Sequence, residues 1–116
     1  MQTVRLLMFV CRDPSIEFTP EDRANIGPQV AAWVQEMERL GIRERGDVLA
    51  PPEATVAVRV RAEKVSVKKG PLIDAPEPIS GFNLLNCSDI DEAIKAAASH
   101  PIARYGTIEL RPILES

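Results

Sequence analysis

VSVKKGPLIDAPEPISGF, Val65 to Phe82, carries three kinds of local instruction in succession. Val65-Ser66-Val67-Lys68 alternates apolar and polar residues, the period of a strand with one dry and one wet face. Lys69-Gly70-Pro71 breaks that pattern and opens a loop holding Pro76, Pro78, Asp74 and Glu77. At Gly81 an apolar run resumes and predicts a strand through Asn86. The segment therefore links two strands, and the question is whether its loop is a site or a connector.

Upstream, Val56, Val58 and Val60 alternate with Ala57, Arg59 and Arg61. After Ala62-Glu63-Lys64 the same pattern returns, so the two segments read as a hairpin at a sheet edge or periphery. Arg43 to Leu49 reads as a short strand closed by Ala50-Pro51-Pro52. Before it, Thr19-Pro20-Glu21-Asp22 has the marks of a helix start: a capping hydroxyl, proline at the first position and acids in the first turn. Gly27-Pro28 interrupts, predicting either a kinked helix or a turn followed by a main helix from Pro28 to Leu40. Ile26, Val30, Trp33, Met37 and Leu40 form one apolar stripe, and Gly41 is a natural stop. Downstream, Ser88-Asp89-Ile90-Asp91 predicts a second helix start, with Ile90, Ala93, Ile94 and Ala97 as its buried side. That helix stops near His100-Pro101, and Thr107 to Leu114 is the last strand.

The first strand, Val4 to Cys11, is apolar on both alternating faces, with only Arg5 interrupting. The order is thus β-α-β, a hairpin, then β-α-β. It predicts an α+β ferredoxin-like sandwich with two helices on one face of an antiparallel sheet. Two helices cover only one face, so a first strand apolar on both faces needs a second cover. A homodimer with sheets packed face to face supplies it.

A chain of 116 residues with 45% apolar and 27% charged side chains fits one domain, residues 1–116, with a real core. A formal charge of −3 and scattered basic residues argue against direct nucleic-acid binding. The N-terminal apolar run is too short to span a bilayer and has no cleavage pattern, so no membrane partner and a cytoplasmic location are expected. Cys11 and Cys87 read as buried thiols ahead of a disulfide. Two cysteines and one histidine do not make a zinc set, and no phosphate loop or other cofactor motif occurs, so no metal and no cofactor are expected.

With these elements in order, the chain resembles the YCII-related superfamily, and within it the DGPF-domain proteins. The resemblance rests on MQTVRLLMFVCRD, LAPPEATVAVRV, VKKGPLIDAPEPISGFNLL and SDIDEAIKAAASHPIARYGTIELRPI, which together span nearly the whole chain. It implies a dimeric α+β barrel, in agreement with the dimer inferred from the two-faced strand. Where DGPF proteins carry Asp-Gly-Pro-Phe, this chain has Lys69-Gly70-Pro71-Leu72: the turn remains while the acid and the aromatic are gone. The YciI-like branch pairs a histidine on the first helix with an aspartate before a proline after the second. The matching positions here are Val30 and His100, so that pair is not carried over. DGPF proteins are also similar to domains linked with bacterial extracytoplasmic-function sigma factors, which implies an alternative, non-enzymatic role through protein contacts.

His100 is the one side chain that ordinarily titrates near neutrality, making it the acid–base candidate, and Asp74 is the second catalytic candidate if it converges with His100 and Arg111 on one pocket. Its structural reading is a helix-terminal residue near the negative end of the dipole. Asp74 and Glu77, three apart in the loop, could share a site in which one raises the pKa of the other, or simply be solvated loop acids. Asp13 ends the first strand, either bordering a cleft or capping a turn. Lys69 suits an anionic ligand or protects a strand edge. Arg5 and Arg111 each interrupt an apolar strand and need a carboxylate, from Glu109 or across the dimer, or else a ligand. The expected ligand is a small organic molecule, anionic or aromatic, in a cleft lined by Arg5, Asp13, Lys69, Asp74, Glu77, His100 and Arg111.

Overall fold

In a computed structural model that describes residues 3–115, the doubly apolar first strand is central. Strand β1 (Val4–Arg12) pairs antiparallel on one side with a strand at Ile79–Cys87 and on the other with a strand at Gly106–Pro112. A strand at Arg43–Val48 completes the sheet beyond Ile79–Cys87. Numbering strands along the chain, with β2 at Arg43–Val48, β3 at Val56–Arg61, β4 at Lys64–Lys69, β5 at Ile79–Cys87 and β6 at Gly106–Pro112, the order is β2-β5-β1-β6. This order, with a helix in each β-α-β half, agrees with the ferredoxin-like α+β arrangement.

Helix α1 (Pro20–Arg39) begins as a closed capping box. Thr19 Oγ1 accepts from the Asp22 amide at 3.1 Å, and Asp22 Oδ2 accepts from the Thr19 amide at 2.9 Å. The chain passes Pro28 as one helix, so the alternative of a turn before the main helix is not taken. Pro28 is exposed, on the side where water can serve the carbonyl left without an amide. Trp33 and Met37 are buried, with Ile26 and Val34 packed beside them, while Leu40 is half exposed and falls outside the core.

Helix α2 (Ile90–Ala98) differs from its expected stripe. Ala93, Ala96 and Ala97 are buried, whereas Ile90 and Ile94 face outward at 43% and 51% exposure. Only a small side chain fits where this helix lies close against the sheet; the branched residues are rotated to the rim. Trp33 joins the two helices, its Nε1 donating to the Ala96 carbonyl at 2.9 Å and to Ser99 Oγ at 3.1 Å. Leu6, Met8, Val10, Leu85 and Cys87 meet these helices from the sheet. Among them lies buried Asn83, whose Oδ1 accepts from Arg43 Nε at 2.7 Å.

The hairpin does not join the main sheet: β3 and β4 form a separate two-stranded one. Val58 pairs with Val67 and Val60 with Val65, so Val56 and these four lie on one face, each 54–67% exposed. Its turn holds Ala62 at φ +49° and Glu63 at φ +64°. At its base the Gly70 amide donates to the Thr55 carbonyl at 2.7 Å, and Gly70 at φ +99° redirects the chain into Pro71. The molecule is flat, 48 × 45 × 18 Å, and its radius of gyration of 16.4 Å exceeds the ~13 Å usual for this length.

Candidate functional site

Alternation along β1 sends Leu6 and Met8 to the helices and Leu7 and Phe9 to the uncovered face. Phe82 and Leu84 of β5 stand opposite them in register. Leu7, Phe9 and Phe82 form the floor of a cleft of about 1010 Å³. One wall is the proline-rich strap from Leu49 to Thr55, and the other runs from Pro71 to Ile79, contributing Ile73, Asp74 and Pro78. The opening loop of the sequence is therefore a wall of the cleft as well as a connector. Prolines suit both walls, since their fixed φ limits the freedom lost in holding a loop off the sheet.

The lining is mainly apolar, and its charged side chains are the acids Glu53 and Asp74. Among the described residues no lysine, arginine or histidine lines it. Of the seven nominated residues, only Asp74 does. Glu77 stands beside the cleft and accepts a hydrogen bond from Thr107 Oγ1 at 2.8 Å, tying the loop to β6. Asp13 holds a turn: its Oδ1 accepts from the Ser15 amide at 2.9 Å and Ser15 Oγ at 2.7 Å, which lowers its pKa. Lys69 is exposed at the end of β4.

Arg5 pairs with Glu44, not Glu109, at 3.0 Å on the uncovered face, and both side chains remain well exposed. Arg111 is exposed on β6 and makes no ion pair among the described residues.

His100 lies on the other side of the sheet from Asp74, so the two form no acid–base pair. It is 4% exposed, its ring 4.8 Å from that of Trp33, and its Nδ1 accepts from the Ile102 amide at 3.1 Å. Burial pushes its pKa down to about 4, so it is neutral at pH 7 and the expected favourable charge at a helix end is absent. Both cysteines are free and buried. Burial raises both thiols, Cys87 to about 11, so neither is a ready nucleophile. No helix among the described residues is long and apolar enough to cross a membrane.

Sequence reasoning passed over Leu7, Phe9, Phe82, Ile73 and the Pro51-Pro52 strap as site residues. Their signal was present in the two-sided apolarity of β1 and in the prolines flanking the hairpin, Pro51-Pro52 before it and Pro71, Pro76 and Pro78 after it. It points to a largely apolar binding surface, most of which a search for titratable side chains does not find.

An α+β protein with an antiparallel sheet covered by helices on one face and an apolar cleft on the other is the class so defined. The YCII-related domain model matches residues 5–116, and the chain belongs to that family. It is similar to an uncharacterised protein of Rhizobium meliloti (strain 1021), 33% identical over 67 residues, covering 56% of this chain and 54% of the relative. The chain thus spans about half the length of that curated relative.

Proposed function

We propose that the protein is a small homodimeric binding module, and that its cleft takes an organic molecule with an aromatic or otherwise apolar body. The observation that carries this reading is the cleft itself, with an apolar floor between two proline-rich walls. Its acids Glu53 and Asp74 favour a neutral or cationic polar group over the anionic one expected from scattered arginines and lysines. Binding without catalysis is supported by His100 and Asp74 standing on opposite sides of the sheet. A regulatory role through protein contacts is compatible with this chemistry.

Two features support the second copy. The protomer exposes 8495 Å², against roughly 6,300 Å² for a folded monomer of its mass, and a standard interface removes only about 800 Å² per partner. The uncovered face is also patterned by register. Arg45, Leu84, Leu7 and Arg111 form one row across the four strands, and Asp47, Phe82, Phe9 and Glu109 form the next. A two-fold axis parallel to these rows, lying between two facing sheets, sets each arginine row over the acid row of the other copy. The apolar residues at the centre then close both clefts from above.

N-phenylnaphthylamine, a neutral fluorescent aromatic probe, tests the cleft. Its emission is expected to rise on binding, and Ile73→Ser, at a position 72% exposed, should weaken binding several-fold without lowering the melting temperature. Unchanged emission with the wild-type protein, or equal binding by the variant, rules out this cleft as the site.

A further inference from the structure

The β3–β4 hairpin has no cover of its own. Two-stranded hairpins are marginal in water without a third strand or a packing surface. This one also spends a two-residue turn on Ala62 and Glu63, each with positive φ, where Asn-Gly is the sequence that fits without strain. Five valines nonetheless share one face, all more than half exposed. A row of β-branched side chains stabilises a strand pair only when it packs against something. Among the described residues no other helix or strand packs extensively against the hairpin, and its valines stay open to solvent.

Charge identifies what could cover it. From Val56 to Lys69 the arm holds five basic residues against one acid, leaving nine against sixteen in the rest of the chain. The arm is thus +4 and the body −7. The arm also emerges from the cleft walls, since Thr55 and Pro71 line the cleft and flank the hairpin.

We propose that the β3–β4 hairpin is an intersubunit arm whose valine face packs on the body of a second copy of this chain. The inference rests on the homodimer reading and adds to it the element that clasps the partner. Arg59, Arg61, Lys64 and Lys68 lie on the opposite face, where they steer the arm toward an acidic body while staying hydrated. A polyanion is the less suited occupant: it would meet the basic face and leave the valines bare.

Sedimentation of the wild-type chain and of Val58→Thr/Val67→Thr tests this. Threonine keeps the β-branched shape, and both positions are about two-thirds exposed in the protomer. The pair is expected to raise the dimer dissociation constant by at least about tenfold. Hydrogen exchange of the wild-type β3 and β4 amides gives an independent reading that needs no variant: it should slow as protein concentration rises through dimerisation. A wild-type dimer with unchanged affinity in the variant and concentration-independent exchange overturns the arm and leaves the dimer standing. A wild-type monomer at all concentrations overturns both. A monomer that is retained on heparin and released by Arg59→Glu/Lys68→Glu also overturns the proposal, assigning the arm to a polyanion.

Discussion

At pH 7 the His100 imidazole is neutral, because the packed Trp33 ring and the surrounding chain deprive its cation of water. Its folded pKa of about 4 lies below the ordinary 6.5, so the unfolded chain binds the proton more readily. The resulting stability is fully present above pH 6.5 and is lost as the pH falls toward 4, up to about 3 kcal/mol over that window. His100→Asn keeps an acceptor for the Ile102 amide but removes the titration. Urea unfolding at pH 7 and at pH 4.5 should therefore show a smaller loss of stability in the variant than in the wild type. Gly106 is constrained in a different way. A Cβ there would fall on the Cys11 carbonyl oxygen and lie 2.8 Å from the Arg12 Cα, both backbone atoms of the neighbouring strand. Gly106→Ala is expected to cost about 3 kcal/mol, read as a lower denaturant midpoint with an unchanged slope.

At the scale of elements, the hairpin turn offers the clearest experiment. Ala62→Asn/Glu63→Gly should relieve roughly 1–2 kcal/mol of backbone strain and sharpen the β3–β4 cross-strand contacts in NMR spectra, with no change in the α1 and α2 signals. No change in those contacts would show that the arm is already fully ordered. The elements also show how far sequence reading reaches. The helix start at Thr19-Pro20 and the two-sided apolarity of β1 were legible because caps and periods are local, although the closing of the box by Asp22 was not read. The choice of Ala93, Ala96 and Ala97 over Ile90 and Ile94 was not, since it depends on how near α2 lies to the sheet. The cleft was half legible: β1 announced a second apolar face, but nothing local says that the walls at Leu49–Thr55 and Pro71–Ile79 meet over it. His100 misled because its local position suggested a charged helix end while its tertiary position is a dry pocket.

For the whole molecule, the rows on the uncovered face make the orientation of the proposed dimer testable. Arg111→Glu should weaken dimerisation about tenfold at low salt, because two symmetry-related attractions become repulsions. Adding Glu109→Arg should restore it, and both effects should fade at high ionic strength. Light scattering across a salt series checks this. Equal loss in the single and double variants would exclude a two-fold axis parallel to the rows.

The two enclosed thiols have a practical meaning for such work. With Cys11 and Cys87 buried and their pKa values raised, maleimide chemistry at neutral pH passes both by. A single cysteine introduced at exposed Ser66 on β4 would then be the one fast-reacting thiol of the chain. The native protein is in effect a ready background for spin labels or fluorophores, on which distances between the copies of the proposed dimer can be measured without first removing any natural residue.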